Sequence, residues 1–205
     1  MGFFKKLFGK KTDDLYAPIA GKAVPVTQVP DPTFAEGLLG NGIAIEPTDG
    51  KVYAPCDATV DMMFTTGHAV SLVADCGAEI LIHIGLETVS LEGKPFTVHV
   101  ANGDKVKKGQ LMIEVDLEAI KALGLPTITP MLICNTDDYP TFNTFVDKDV
   151  TNETLSSLWQ SKSAGKSKVR SRSGDRPGAA ALLQRVRIGG PLQLSNRRFR
   201  HLNSI

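Results

Sequence analysis

The sequence lacks any run of about 18 or more apolar residues, which is the length a membrane-spanning helix needs. The lysines near the N-terminus are not followed by an apolar segment and a small-residue cleavage site, so we expect no secretory signal peptide. Cysteine is scarce, since Cys56, Cys76 and Cys134 are the only three and form no Cys-x-x-Cys pair. This usage favours a reducing compartment and argues against a disulfide framework or a thiolate zinc site. The sequence therefore predicts a cytoplasmic protein.

Arginine is absent from residues 1–160, which hold 12 lysines and 21 acidic residues, a balance of −9. Residues 161–205 hold all eight arginines, three lysines and one aspartate, a balance of +10. The first part of this segment is rich in Ser, Gly and basic residues and lacks the apolar content that offsets ordering entropy. We predict a disordered, dispensable tail over residues 161–205. A frameshifted or fused origin is favoured over a basic nucleic-acid-binding tail, and no nucleic-acid partner is expected.

Residues 1–14 contain a short basic amphipathic stretch, MGFFKKLFGKK. On a helix its phenylalanines and its leucine fall on one side, with the lysines largely elsewhere. A helix this short is marginal in water and would order only on a surface. Residues 1–11 therefore predict weak contact with the inner face of a membrane, with a frayed tail as the alternative.

Residues 15–160 are predicted to form an all-β domain, because short apolar runs rich in Val, Ile, Thr and Phe recur between turn residues. Such spacing is typical of a β-sandwich or barrel. One helical piece is expected around Leu117–Leu123, ending at Gly124 and Pro126. The predicted strands are IAIEP, VYAP, ATVDMMF, AVSLVAD, AEILIHIGL, TVSLEG, FTVHV, LMIEVD and MLICN.

Two histidines, His68 and His83, lie on consecutive predicted strands joined by a tight turn. If Asp75-Cys76 is a two-residue loop, the histidines face each other directly; if the loop is Cys76-Gly77, they are diagonal neighbours. Both registers place them on one face of the hairpin, because side chains alternate with period two. A loop of odd length would break this argument. For an arbitrary pair, two unrelated histidines are the more common case.

The alternation of the second strand separates its two faces. Ile80, Ile82 and Ile84 project to one face and can build a core, whereas Leu81 and His83 project to the other. We therefore expect His83 to be accessible and partly desolvated, which suits a histidine that acts as a nucleophile near neutral pH.

Four segments resemble glucose-type enzyme IIA domains of the bacterial phosphoenolpyruvate-dependent sugar phosphotransferase system, and together they cover roughly residues 15–145. The segments are VPDPTFAEGLLGNGIAIEPTDG, TTGHAVSL, HIGLETVSLEG and NGDKVKKGQLMIEVDLEAI. The resemblance implies an antiparallel β-sandwich and a phosphotransferase component of sugar transport. It further implies that the phosphoryl group comes from the phosphocarrier HPr and passes to the IIB domain of a glucose-type permease. A regulatory role towards other permeases or kinases is compatible with it.

The resemblance also assigns roles to residues. His83 matches the histidine that accepts the phosphoryl group, His68 its hydrogen-bonding partner, and Thr66 a threonine beside that partner. Other positions match the docking face for partner proteins. Glu87 stands there where many members have Asp, and Val70 where some have Phe, which predicts a shallower cleft. The remaining docking positions are Phe34, Leu38, Leu39, Ile43 and Ile45.

Rival functions are weaker. A zinc hydrolase would use His68, His83 and Glu87, but Leu81 stands where a related peptidase fold has its third ligand. Neither an exposed hairpin lysine, as in a swinging-arm carrier, nor a P-loop for ATP is found. We therefore expect no required cofactor, and zinc at His68 and His83 only when a partner supplies further ligands.

Overall fold

The computed structural model describes residues 13–139 and 141–160. The predicted amphipathic stretch of residues 1–11 and the predicted tail of residues 161–205 lie outside the described residues. The first strand described begins at Asp13. Among the residues described, no helix has the length and apolar character to span a membrane.

The described chain is built almost entirely of short strands, with two short helices. Helix α1 spans Pro32–Ala35 and α2 spans Leu117–Ala122. The strands are β1 (Asp13–Tyr16), β2 (Gly21–Pro25), β3 (Asn41–Pro47), β4 (Lys51–Tyr53), β5 (Ala58–Met63), β6 (Ala69–Ala74), β7 (Glu79–His83), β8 (Phe96–Val98), β9 (Lys105–Val106), β10 (Leu111–Val115), β11 (Thr129–Ile133), β12 (Thr141–Thr144), β13 (Lys148–Val150) and β14 (Leu155–Gln160).

The strands form one large sheet and two small ones. The large sheet has the order β13-β2-β3-β11-β7-β6-β5-β9, and the small sheets have the orders β4-β10-β8 and β1-β14-β12. Every strand pair described is antiparallel. The predicted all-β, antiparallel sandwich with short helical turns is therefore confirmed.

Apolar side chains cover both faces of the large sheet, and strand β7 shows how. Ile80 and Ile82 join the main core, which includes Ile113 of β10 in the small sheet and Ile120 of α2. Leu81 points the opposite way into a second cluster, which the segment after β2 covers with side chains such as Phe34. The predicted division of β7 into two faces is confirmed, and we call these two groups the inner core and the outer cluster.

The structure confirms the predicted helix near Leu117 and contradicts one predicted strand. The helical piece near Leu117 is confirmed, since α2 is capped at its start by the Asp116 carboxylate, which accepts from Ala119 N at 2.9 Å. The predicted strand TVSLEG is wrong. Residues Thr88–Leu91 form a 3₁₀ turn, because Glu87 and Glu92 on either side have left-handed φ values of 58° and 54°. That geometry bends the chain too sharply for a strand.

The turn between β6 and β7 has three residues, Asp75–Gly77. Ala74 N donates to Ala78 O at 2.9 Å, and Gly77 adopts a φ of +93°. The resulting register pairs Ala69 directly with His83. Both predicted registers, with two-residue loops, are therefore wrong, because the odd-length turn shifts the pairing by one residue.

Candidate functional site

His83 is the last residue of β7 and lies on the outer face of the large sheet with Leu81. Its side chain is only 3% exposed, so the prediction of an accessible ring is wrong. The rings of Phe34 and His68 cover it, with centroids 5.2 Å and 5.1 Å from its own. The site is therefore enclosed by neighbouring rings.

His68 reaches His83 from the hairpin turn between β5 and β6. Gly67 N donates to Phe64 O at 2.7 Å, Gly67 has a φ of +65°, and β6 begins only at Ala69. His68 thus stands outside the regular strand, where period-two alternation does not apply. Its backbone carbonyl accepts from Ile84 N at 2.8 Å, which joins the turn to the end of β7. The two rings meet edge to face at an interplanar angle of 72°.

The His68 ring is also buried, at 1% exposure. The Phe64 ring lies 5.3 Å from it, centroid to centroid, at an interplanar angle of 64°. The four rings of Phe34, His83, His68 and Phe64 therefore form a contiguous row on the outer face. Aromatic neighbours of this kind exclude water and restrict the orientation of each imidazole.

The hydrogen bonds of the two Nδ1 atoms define the chemistry of the rings. The carbonyl of Gly85 can only accept, so His83 Nδ1, 2.7 Å away, donates its hydrogen to it. The neutral His83 ring then carries its lone pair on Nε2. His68 Nδ1 is hydrogen-bonded to the hydroxyl of Thr66. When Thr66 is the donor, His68 Nε2 carries a hydrogen that it can donate in turn.

The loop after His83 holds the Gly85 carbonyl in place. Gly85 has a φ of +68°, and a Cβ at this position would lie 2.7 Å from Thr88 Cγ2 and 2.9 Å from Pro126 O. Leu86 N donates to the same Pro126 carbonyl at 2.9 Å. Only glycine meets both the conformational and the steric demand here.

The residues predicted for the docking face separate into two groups. Phe34 and Leu39 belong to the outer cluster, Leu38 is 43% exposed, and Glu87 is exposed at its left-handed turn position. The other three residues are fully buried in the inner core, so their predicted place on a docking face is wrong. Alternation along β3 and β6 points them to the opposite side of the sheet; they are Ile43, Ile45 and Val70.

Three site residues escaped the sequence analysis. Phe64 and Gly85 were assigned simply to predicted strands, and Thr88 was placed in a strand that does not form. For Gly85 and Thr88 the available signal was the His-x-Gly-x-x-Thr spacing, which suits a turn at the end of a strand better than a continued strand. Among the described residues, no group of three metal-ligating side chains was found.

The fold is an antiparallel β-sandwich, and its outer face carries two buried histidines whose rings are in contact. Residues 13–139 match the family model for the EIIA 1 component of the phosphoenolpyruvate-dependent sugar phosphotransferase system, and the chain belongs to this family. The resemblance inferred from the sequence segments is thereby confirmed.

Relatives with the same domain occur alone and as parts of longer chains. The glucose-specific EIIA component of Halalkalibacterium halodurans is 45% identical over 150 residues, which cover 68% of this chain and 87% of the relative. The β-glucoside-specific EIIBCA component of Dickeya chrysanthemi is 48% identical over 129 residues, covering 63% of this chain and 20% of the relative. The chain thus spans about a fifth of such multi-component relatives.

A solved structure with the same fold is glucose permease IIA from Mycoplasma capricolum. It matches with a TM-score of 0.68 and 30% sequence identity, over 77% of this chain and 99% of that chain. The described strands and the site therefore belong to an enzyme IIA domain.

Proposed function

We propose that this chain is a phosphocarrier that takes up a phosphoryl group on Nε2 of His83 and passes it on. The observation that carries this proposal is the hydrogen bond from His83 Nδ1 to the Gly85 carbonyl at 2.7 Å. It places the lone pair of the neutral ring on Nε2, and a lone-pair nitrogen is what a phosphorus atom requires from its attacker.

The transfer step is an exchange of one phosphorus–nitrogen bond for another. Nε2 of His83 attacks the phosphorus of a donor phosphohistidine, the bond to the donor ring breaks, and that ring leaves with its electron pair. Such transfers depend mainly on positioning and on electrostatic stabilisation of the phosphoryl oxygens. His68, with Thr66 donating to its Nδ1, supplies a hydrogen from Nε2 to those oxygens.

Burial of both rings serves this chemistry. Because His83 is 3% exposed and His68 is 1% exposed, few water molecules can reach the reacting nitrogen. Excluding water strengthens the hydrogen bonds to the phosphoryl group and limits loss of the intermediate by hydrolysis.

The proposed donor is phospho-HPr and the proposed acceptor is the IIB domain of a sugar permease. Family membership supports both, and relatives that carry EIIB, EIIC and EIIA components on one chain support the acceptor. The exposed Leu38 and Glu87 are proposed to contact these partners. A role in regulating other permeases or kinases would use the same face and the same phosphorylation state.

The transfer needs no cofactor, and we propose none. His68 and His83 offer two nitrogen ligands, so zinc would bind there only with ligands from a partner.

For location, we propose a cytoplasmic protein whose residues 1–11 give weak contact with the membrane surface. Co-sedimentation with anionic vesicles tests this, using chains that end at residue 160 with and without residues 2–11; equal binding would refute the contact.

Incubation with phosphoenolpyruvate, enzyme I and HPr tests the carrier function, with acid-labile phosphate measured by mass. We expect one phosphoryl group per chain. His83→Gln should take up none, because the nucleophilic nitrogen is removed while a polar side chain of similar length keeps the fold. His68→Gln should still be phosphorylated, but onward transfer to IIB should slow by ~10²–10³-fold because a transition-state contact is lost.

The matched control is His99→Gln. His99 is an exposed histidine that directly follows β8, its Nε2 lies 2.7 Å from Glu114 Oε2, and its replacement should leave uptake unchanged. Phosphate found on His68, or uptake by folded His83→Gln, would reverse the assigned roles. No uptake by folded wild-type chain with active HPr would refute the carrier function.

A further inference from the structure

Thr88 is a fully buried polar residue, at 0% exposure, that the proposed mechanism has not used. It opens the 3₁₀ turn that follows the site. Its hydroxyl donates to the carbonyl of Ile84 at 2.7 Å. Because Ile84 directly follows His83, this bond ties the turn back to the residue next to the reacting histidine.

The hydroxyl closes a short loop that contains Gly85. At one end Ile84 N donates to His68 O at 2.8 Å, and in the middle Leu86 N donates to Pro126 O at 2.9 Å. The Thr88 methyl group lies 2.7 Å from where a Gly85 Cβ would stand, so threonine and glycine are in close contact. The peptide between Gly85 and Leu86 therefore has little freedom to rotate.

We propose that Thr88 is a positioning residue for the transfer: its hydroxyl holds the Ile84–Thr88 loop so that the Gly85 carbonyl stays aimed at His83 Nδ1. The inference rests on the proposed function of His83, which it deepens. Thr88 does not touch the phosphoryl group. It acts through the carbonyl that keeps the hydrogen on Nδ1 and the lone pair on Nε2.

Removing the hydroxyl leaves the Ile84 carbonyl without this donor and loosens the loop. The Gly85 carbonyl then moves away from Nδ1, and the ring tautomer with its hydrogen on Nε2 becomes more populated. That tautomer cannot attack through Nε2. The maximal rate of phosphoryl uptake should fall, by up to ~10²-fold, because misplacement of a reacting group by about 1 Å can cost that much. The KM for phospho-HPr should change little, since Thr88 is not at the surface.

The experiment compares full-length chains carrying Thr88→Val, which removes the hydroxyl at nearly constant volume, and Thr88→Ser, which keeps it. Thr129→Val is the matched control: Thr129 is also 0% exposed and donates its hydroxyl to a backbone carbonyl, that of Thr127, at 3.0 Å. Nitrogen NMR of ¹⁵N-histidine-labelled, unphosphorylated protein reports which ring nitrogen of His83 holds the hydrogen. Uptake kinetics from phospho-HPr are measured in parallel.

We expect Thr88→Val to shift the His83 tautomer and lower the maximal rate, with Thr88→Ser and Thr129→Val close to wild type. If Thr88→Val does not fold, Thr88→Ala is measured in its place. A folded hydroxyl-free variant with the wild-type tautomer would overturn the inference, as would a Thr88→Ser variant that behaves like Thr88→Val. The tautomer is measured on unphosphorylated protein, so this readout does not depend on the proposed carrier function. The carrier function itself would be refuted only if the wild-type chain took up no phosphate.

Discussion

At the scale of single residues, a backbone carbonyl determines which nitrogen of the neutral His83 ring carries the lone pair. Gly85 provides that carbonyl from a left-handed conformation, at a φ of +68°. The same residue leaves no room for a side chain, because Thr88 and Pro126 stand against it. The left-handed backbone, the close packing against Thr88 and Pro126 and the tautomer of the His83 ring therefore all depend on this one glycine.

Replacing Gly85 with alanine should destabilise the fold more than the same change at Gly124. Both glycines have positive φ, +68° and +74°, so both variants carry a conformational cost of about 1 kcal/mol. Only at Gly85 does the new Cβ collide with neighbouring atoms, and such overpacking adds about 1–3 kcal/mol. At Gly124 nothing lies within 4 Å of the Cβ position.

Urea unfolding of the two variants measures the difference, and phosphoryl uptake provides a second readout. Gly85→Ala should also lower uptake, because the displaced carbonyl no longer faces Nδ1. Equal losses of stability in the two variants would show that Thr88 and Pro126 accommodate a methyl group.

The sequence predicted that His68 and His83 are neighbours and which way the side chains of β7 point, but not the hydrogen bonds around the two rings. Alternation from Ile80 to His83 is enough to separate the two faces of a strand. The direction of the Gly85 carbonyl depends on contacts with Pro126, some 40 positions away in the chain. No local pattern encodes such a contact, so the burial of His83 was not predictable.

At the scale of elements, two hairpin turns bring the site together. The two histidines are neighbours, as predicted, but the register argument for this is wrong because the turn at Asp75–Gly77 has three residues. His68 contacts His83 because it lies in the turn that precedes β6. Periodicity indicates where a strand lies, but it does not count the residues of a turn, and that count decides register.

Helix α1 places the Phe34 ring against His83, and its N-cap should matter to the site. The Asp31 carboxylate accepts from Thr33 N at 2.8 Å, and Pro32 occupies the first turn. Asp31→Ala should cost about 0.5–2 kcal/mol of stability, which is the usual contribution of an N-cap. It should also change the His83 ring environment, because a frayed α1 no longer holds Phe34 in place.

Asp116→Ala is the matched control for this prediction. Asp116 caps α2, whose buried residues Leu117 and Ile120 belong to the inner core. It should cost a similar amount of stability in thermal or urea unfolding while leaving the His83 imidazole resonances unchanged. Identical ring spectra for Asp31→Ala and wild type would show that Phe34 is held without the cap.

At the scale of the whole molecule, a single sheet separates the inner core from the outer cluster, and each has a partly buried thiol beside it. Cys56 packs against the inner core and Cys134 against the outer cluster. Burial, more than the nearby acidic groups and Cys76, raises the pKa of Cys56 from 9.0 to about 12. Burial, with a smaller contribution from Glu79, raises the pKa of Cys134 to about 12.

These raised pKa values predict a loss of stability at alkaline pH. Above pH 9 the thiols of the unfolded chain lose their protons while those of the folded chain keep them, so the folded state binds more protons and stability falls as pH rises towards 12. Each thiol contributes a slope of at most about 1.4 kcal/mol per pH unit. Between pH 8 and 10, the wild type should lose about 2–3 kcal/mol more than a Cys56→Ala/Cys134→Ala variant, because both unfolded thiols titrate in this interval.

Urea unfolding with reductant present checks this, with Cys76→Ala as the control because Cys76 is exposed. That variant should keep most of the wild-type slope. Parallel pH curves for the wild type and the double variant would show that the two thiols ionise when folded much as they do when unfolded.

The enclosure of His83 has a consequence for the kinetics of the proposed phosphoryl relay. The neutral ring carries its lone pair on one nitrogen and is only 3% exposed, so it can bond to one phosphorus atom at a time. In that relay the donor and the acceptor bind one after the other, and we expect no complex of all three proteins. Steady-state transfer should then follow ping-pong kinetics, with parallel lines in double-reciprocal plots. Dissociation of each two-protein complex would thereby become part of the overall rate of transfer.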